Sequence, residues 1–120
     1  MKKIVLCVSM LLLSFVAKAE EPTTVDRGME AAAMVLLAAD WNQTRQIAQQ
    51  PKKYYETNRI LGDHPSVGSV NTYFVATMLT TAILTEVLPD TYRKILLSGI
   101  IVVEVWAVSN NKVIGLNVKF

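Results

Sequence analysis

The sequence predicts an all-α membrane helical bundle, in which an N-terminal signal helix is followed by one partly polar helix and a two-helix transmembrane hairpin. Three observations predict this fold: a leader organised as a signal peptide, two long apolar runs separated by a proline, and a hydrophobic content of 52% over 120 residues. A chain of this length forms one domain at most. Its composition is typical of a membrane protein and not of a disordered or nucleic-acid-binding one.

The first 19 residues have the three parts of a bacterial secretory signal peptide. Met1-Lys2-Lys3 is a charged region, residues 4–16 are apolar, and Ala17-Lys18-Ala19 is a small-residue cleavage sequence. We expect cleavage after Ala19, and an uncleaved signal anchor remains the alternative. The single cysteine, Cys7, lies in this leader, so the mature chain has no thiol for a disulfide or a metal site. Residues 20–28 are predicted to be a polar tail.

A helix of divided polarity is predicted from Met29 to about Ala48, with Asp26 as its N-cap. Residues 31–39 are apolar on all sides, whereas residues 40–46 are almost wholly polar. The apolar half is too short to cross a bilayer by itself. The helix must therefore either enter the membrane partway or pack its polar end against another part of the protein.

Two apolar runs, Val70 to Leu88 and Thr91 to Asn110, are predicted to be membrane-spanning helices. The first has no charge before Glu86 and, at about 1.5 Å per residue, its length matches the hydrocarbon thickness of a bilayer. Pro89 cannot continue a helix, and the short link around it predicts antiparallel neighbouring helices. A soluble hairpin buried in a globular core is the alternative, but neither run has the polar face of a half-exposed soluble helix.

Residues 49–69 are predicted to form an ordered loop at the membrane surface, within a single helical membrane domain that covers residues 29–120. The loop mixes aromatic and charged residues with a Gly-Asp turn and an X-Pro step, and it lacks the Gly and Ser content of a flexible linker. Ser66 or Ser69 can cap the helix that follows.

The charge distribution excludes nucleic acid as an expected partner and predicts the orientation. Three of the 12 Lys and Arg residues belong to the leader, and the other nine are balanced by ten Asp and Glu residues, so no basic patch remains. A secretory leader places the N-terminus of the mature chain on the periplasmic side of the bacterial inner membrane. Five basic residues then fall on the cytoplasmic side and two, Arg93 and Lys94, on the outer turn, which favours this orientation.

Several polar side chains on the predicted helices need partners at membrane depth. Asp40, Gln43 and Thr44 share one face of the divided helix at i, i+3 and i+4 spacing. Glu104 lies near the middle of the last helix, and ionisable groups at that depth usually face a partner or a water-filled cavity. The candidate polar core consists of Asp40, Gln43, Thr44, Thr77, Thr81 and Glu104.

Two interpretations of this polar core remain open. In the first, Glu104 faces the threonines of the preceding helix and the polar end of the divided helix, so that three helices enclose the core. In the second, Glu104 is protonated and hydrogen-bonded between helices, and each threonine hydroxyl donates to the carbonyl one turn back. Polar contacts of the second kind commonly hold membrane bundles together.

A sharper hypothesis gathers Asp40, Glu56, His64 and Glu104 into a metal or general acid/base site. The spacing gives it little support, because the chain has no H-E-x-x-H sequence, no second histidine and no catalytic cysteine. Glu56, Asn58 and His64 remain candidate polar residues of the loop. No metal or cofactor is predicted, and the sequence gives no positive evidence for an enzyme.

The pattern Asp40-x-x-x-Thr44, followed by Glu56-x-Asn58 and two closely spaced apolar helices, resembles a family of small uncharacterised multi-helix membrane proteins of bacteria and their phages. In that family the loop carries a Glu-x-Asn-Pro sequence, whereas Arg59 stands at the proline position here. The resemblance covers residues 39–61 by motif and the later helices by hydropathy alone. It implies the helical topology and no activity.

The sequence thus favours a small integral inner-membrane protein with a structural, interaction or assembly role. Its expected contacts are the lipid bilayer and either a second copy or another membrane protein, through alanine-rich and threonine-rich helix faces. Two alternatives stay open. One is a phage lysis protein of the holin type, and the other is an intramembrane carboxylate site for metal-assisted hydrolysis or for ion or proton movement.

Overall fold

A computed structural model describes residues 2–16 and 20–119. Over this part of the chain the protein has four α-helices and no β-strand, so the prediction of an all-α fold is confirmed. The helices are α1 (Lys2–Val16), α2 (Thr24–Gln49), α3 (Val67–Val87) and α4 (Asp90–Val113). α1 coincides with the apolar part of the leader, and the predicted cleavage sequence, residues 17–19, lies outside the described residues.

α2 begins before the predicted start and has a different N-cap. Thr23 is the cap: its hydroxyl accepts a hydrogen bond from the Asp26 backbone N–H at 3.2 Å, and the Asp26 carboxylate accepts one from the Thr23 N–H at 2.9 Å. The prediction that Asp26 is the N-cap is therefore wrong. In this reciprocal capping box Asp26 is the third residue of the helix. Because Asp is also a common N-cap residue, the sequence alone suggests Asp26 as the cap.

α3 and α4 are separated by two extended residues. Ser66 caps α3 as predicted, because its hydroxyl accepts from the backbone N–H of Ser69 at 3.1 Å. The helix ends at Val87, and Leu88 and Pro89 then have extended ψ values of 144° and 155° before α4 begins. The chain reversal is the one that a proline at this position predicts.

α2 packs extensively against both α3 and α4, whereas α3 and α4 contact each other only slightly. The short link predicts antiparallel neighbouring helices, and α3 and α4 do contact each other, but most of the packing of each helix is against α2. The two extended residues at Leu88 and Pro89 let the helices diverge, and α2 packs into part of the space between them. The central apolar contact is made by Leu37 of α2 with Val70 and Phe74 of α3, all fully buried.

The direction of α2 follows from its polar contacts. Its first turn meets the first turn of α4 through Asp26 and Arg93, and its second half meets the end of α4 through Asp40 and Asn111. α2 and α4 are therefore parallel, and α3 is antiparallel to both. Trp41 of α2 adds an indole N–H hydrogen bond of 2.9 Å to the Asn71 side chain of α3.

The segment after α4 folds back onto the polar half of α2. Gly115, at φ +100°, reverses the chain and so buries Leu116. The Gln43 side-chain amide donates to the Leu116 carbonyl at 3.1 Å, and the Lys119 N–H donates to the Asn42 side chain at 2.7 Å. The polar end of α2 therefore packs within the protein, which was one of the two alternatives left by the sequence.

Within residues 2–16 and 20–119, α3 is the one helix that is long and apolar enough to cross a membrane. Only 17% of its most apolar window is buried inside the protein, whereas the core helix of a soluble domain would be mostly buried. α4, the second predicted span, is long enough but not apolar enough to meet the same criterion. It carries charged residues at both ends and Glu104 in between, which lower its hydropathy. A two-helix transmembrane hairpin is therefore not confirmed.

Candidate functional site

Two clusters of polar side chains lie between α2 and α4, one towards each end of the bundle. We call the first the Arg93 cluster, which is formed by Asp26, Arg93 and Lys94. We call the second the carboxyl cavity, which is lined by the carboxyl groups of Asp40, Glu56 and Glu104. In the Arg93 cluster basic side chains pair with the buried carboxylate, whereas none of the described residues that line the carboxyl cavity is basic.

Arg93 is completely buried, and its guanidinium makes four hydrogen bonds. Nη1 donates to the Asp26 carboxylate at 2.9 Å, and Nε donates to the Thr85 carbonyl at 2.7 Å. Nη2 donates to the carbonyl oxygens of Leu88, at 2.9 Å, and Glu20, at 2.5 Å. One side chain therefore ties the first turn of α4 to the start of α2, the end of α3 and the segment before α2.

Asp26 is fully buried as well and has three sets of donors. Its oxygens accept from the Thr23 backbone N–H, from Arg93, and from Lys94 Nζ at 3.1 Å. The hydrogen bond from the Thr23 amide holds the pKa of Asp26 well below its usual range, and Lys94 and Arg93 act in the same direction against the effect of burial. The Arg93 cluster is thus a buried carboxylate compensated by the chain's own cations.

The sequence did not connect these residues. Asp26 lies 67 residues from Arg93 and 68 from Lys94, so no helical periodicity relates them. Both basic residues lie at a predicted periplasmic turn, where the positive-inside tendency disfavours them. This unusual position was the sequence signal that could have indicated an acidic partner inside the protein.

The carboxyl cavity is a partly enclosed space of about 330 Å³ between α2, α4 and the loop that follows α2. Asp40 reaches it from α2, Glu104 from α4 and Glu56 from the loop. Thr44, Asn58, Asn110 and Asn111 supply further polar groups. Leu61, Phe74 and Val103 supply an apolar wall.

Asp40 and Glu104 both line this cavity, Asp40 from α2 and Glu104 from α4. Asp40 Oδ1 accepts from the Thr44 hydroxyl at 3.2 Å and from the Asn111 amide at 2.9 Å. The protonated Glu104 of the second interpretation stays a prediction.

Glu56 is fixed by its own loop. Its Oε1 accepts from the backbone N–H groups of Thr57, at 3.0 Å, and Asn58, at 2.9 Å. The loop is closed by a hydrogen bond of 2.8 Å from the Glu56 N–H to the Asp63 carbonyl. Burial raises the pKa of Glu56, although the Asn58 amide opposes this.

Two carboxyl oxygens at the cavity have no partner. Oε2 of Glu56 and Oε2 of Glu104 are both buried without a hydrogen bond, and each side chain belongs to a residue that is 9% exposed. Among the described residues that line the cavity there is no Lys, Arg or His. Unlike Asp26, these carboxyl groups receive no cation from residues 2–16 and 20–119.

The metal hypothesis receives no support from the described residues. His64 is exposed on the loop and does not line the carboxyl cavity, so the predicted set of three carboxyl groups and one imidazole is not assembled. Residues 2–16 and 20–119 contain no group of three or more His, Cys, Asp or Glu side chains placed to hold a metal ion.

The threonines of α3 lie apart from the cavity. The hydroxyls of Thr77, Thr81 and Thr85 each donate to the carbonyl four residues earlier at 2.8 Å. This is the local satisfaction expected in the second interpretation. Of the six predicted core residues, the structure therefore brings Asp40, Thr44 and Glu104 to one cavity. Gln43 lies beside them, accepting from Asn111 at 3.2 Å, and the two threonines are elsewhere.

No family model, curated protein or solved structure matches this chain. The resemblance based on Asp40-x-x-x-Thr44 and Glu56-x-Asn58 therefore stays a prediction. The four residues of that pattern nevertheless line a single cavity, although α2 carries the first pair and the loop carries the second.

Proposed function

We propose that this chain is a small integral protein of the bacterial inner membrane with a structural or assembly role. The observation that carries the proposal is the reversed polarity of the bundle. Charged and polar side chains such as Asp26, Gln43 and Arg93 are fully buried, while many large apolar side chains are exposed. A water-soluble domain has the opposite arrangement, and apolar surface of this extent marks contact with lipid or with another protein.

The lipid-facing surface lies on α3 and α4. Val75, Leu79 and Ile83 are exposed at four-residue spacing along one face of α3. On α4, Val102 and Trp106 are exposed with the same spacing. We include α4 in the membrane with α3, because its charged first turn is compensated inside the protein and its Glu104 faces Asp40 and not the exterior.

The orientation in this proposal places the Arg93 cluster at the periplasmic side and the carboxyl cavity at the cytoplasmic side. Arg93 and Lys94 are the two basic residues that count against it by the positive-inside tendency. Both are engaged by acidic side chains of the protein, Arg93 by Asp26 and Lys94 by Asp26 and Asp90. Their position is therefore explained by a requirement of the fold.

An assembly role is supported by the part of the space between α3 and α4 that α2 does not fill. A groove of about 400 Å³ runs between α3 and α4, and Thr72, Ala76 and Thr80 line it at four-residue spacing. Small residues repeated in this way allow another transmembrane helix to approach closely. We propose that the groove receives a helix of a second copy.

Membrane insertion and orientation are tested by labelling single cysteines in intact cells. In a Cys7→Ser background, Thr91→Cys at the α3–α4 link should react with a membrane-impermeant thiol reagent. Ile60→Cys, exposed in the loop, should react only after the cells are opened. Extraction of the protein by an alkaline wash, or labelling of Ile60→Cys in intact cells, would contradict the proposal.

Association is tested by oxidative crosslinking in the same background. Ala76→Cys in the groove should give a disulfide-linked dimer, whereas Val35→Cys, exposed on α2, is the matched control and should not. Equal crosslinking of the two variants would refute the groove as the contact. An abrupt collapse of the membrane potential on expression would favour the holin alternative.

A further inference from the structure

We propose that the carboxyl cavity is a binding site for a small organic amine, whose ammonium group is held between the unpartnered carboxyl oxygens of Glu56 and Glu104. This inference goes beyond the proposed function, because it concerns a ligand of the cavity and does not depend on what the α3–α4 groove binds.

The cavity contains two buried acceptors without a donor. Oε2 of Glu56 and Oε2 of Glu104 come from different parts of the chain, line the same cavity and have no hydrogen-bond partner. Each residue is more than nine-tenths buried. A buried acceptor without a donor is costly, and such groups are rare in native proteins. Two of them at one cavity indicate donors that the described residues do not supply.

Three carboxyl groups, those of Asp40, Glu56 and Glu104, line the cavity. None of the described residues that line the cavity is basic. At the Arg93 cluster, by contrast, the chain places both Arg93 and Lys94 against a single buried carboxylate. Because the described part of the chain brings no cation to the cavity, the cation that balances these carboxyl groups is a ligand.

The groups that line the cavity indicate the chemical class of the cation. The described residues hold no group of three or more donors placed for a metal ion, which disfavours a divalent cation as the occupant. An ammonium group carries three N–H donors and no acceptor, so it complements an arrangement of carboxylate oxygens. Leu61, Phe74 and Val103 form an apolar wall beside those oxygens, which suits a short hydrocarbon chain attached to the nitrogen. The volume of about 330 Å³ lies at the lower end of the range for small-molecule sites.

The test is a calorimetric titration of n-butylammonium into the full-length protein in lipid nanodiscs, with 1-butanol as the uncharged probe of equal length. We expect saturable binding of n-butylammonium and none of 1-butanol. Glu104→Gln and Glu56→Gln should each weaken binding about tenfold or more, the loss expected for one charge-assisted hydrogen bond. Glu86→Gln is the matched control and should bind normally, because Glu86 is exposed and pairs with Arg27.

Far-UV circular dichroism verifies that each variant is folded before its titration is interpreted. Where Glu104→Gln fails to fold, Glu56→Gln and the cavity-filling variant Ala107→Leu carry the test, since Ala107 lines the cavity and a larger side chain there should abolish binding. Absence of saturable binding, equal binding of 1-butanol, unchanged binding in Glu56→Gln, or displacement of n-butylammonium by Mg²⁺ would each overturn the proposal. None of these outcomes changes the cysteine-labelling result, so the two proposals fail separately.

Discussion

Replacing Arg93 by methionine tests whether the Arg93 cluster holds the three helices together. The side chain makes four hydrogen bonds inside the protein. At about 1.5–3 kcal/mol for each bond to a charged group, their sum gives an upper bound of about 6–12 kcal/mol. Removal of one partner of a buried ion pair typically costs about 3–5 kcal/mol. For Arg93→Met we expect a loss of about 3–5 kcal/mol in the free energy of unfolding, because Lys94 still contacts Asp26 at 3.1 Å and methionine refills part of the volume.

The measurement is unfolding of the purified protein in mild detergent by increasing mole fractions of dodecyl sulfate, followed by far-UV circular dichroism. A loss of about 3–5 kcal/mol is a large part of the roughly 5–15 kcal/mol that stabilises a typical protein. Arg93→Met should therefore unfold at a much lower dodecyl sulfate fraction. In the double variant with Asp26→Asn, part of the stability should return, because the buried group that has lost Arg93 is then neutral.

The matched control is Arg27→Met. Arg27 pairs with Glu30 and Glu86, but its side chain is 49% exposed, and surface ion pairs contribute little. Its unfolding midpoint should not change measurably. If Arg93→Met unfolds at the same midpoint as Arg27→Met, the assignment of Arg93 as the central tie of the bundle is refuted.

Three further predictions concern single contacts. The pKa of Asp26 is lower in the folded protein than in the unfolded chain, so its contribution to stability should be complete above about pH 3.9 and lost as the pH falls through the folded pKa. The dodecyl sulfate midpoint should therefore drop in acid, and it should drop less steeply in Asp26→Asn. Thr81→Val should change stability by no more than about 0.5 kcal/mol in the same assay, because the Thr81 hydroxyl donates only to the Thr77 carbonyl on its own helix. A larger loss would mean that the Thr81 hydroxyl contributes to contacts between helices. Gly115→Ala should lower the free energy of unfolding by about 1–2 kcal/mol, because φ is +100° at this position, although the space beside Tyr54 is sufficient for a methyl group. An unchanged midpoint would mean that the segment after α4 is not held in this conformation.

The helices themselves could be predicted from the sequence, because their signals are local. Pro89 ends one helix and Ser66 caps another, and both effects act within a few residues. The cap of α2 was placed wrongly because Thr23 and Asp26 exchange hydrogen bonds, and either residue type is a common N-cap.

The packing of the helices could not be predicted in the same way. A short link was expected to make α3 and α4 neighbours, but nothing in the local sequence states how far two extended residues let the helices diverge. The carboxyl cavity was foreseen in part, since Asp40, Thr44 and Glu104 were recognised as polar groups at membrane depth. The sharper hypothesis had grouped Glu56 and His64 of the loop with these carboxyl groups. The structure brings Glu56 to the cavity and not His64, because that depends on how the loop folds back over the end of α2.

The position of α2 between α3 and α4 has a consequence for the order of assembly. α2 is synthesised before either of its neighbours, yet Arg93 and Leu116, which satisfy Asp26 and Gln43, are among the later residues to be made. Contacts separated by 67 and 73 residues cannot form until most of the chain has been translated. Until then Asp26 and Gln43 lack these partners. The final packing of α2 therefore depends on synthesis of α4 and of the segment that follows it.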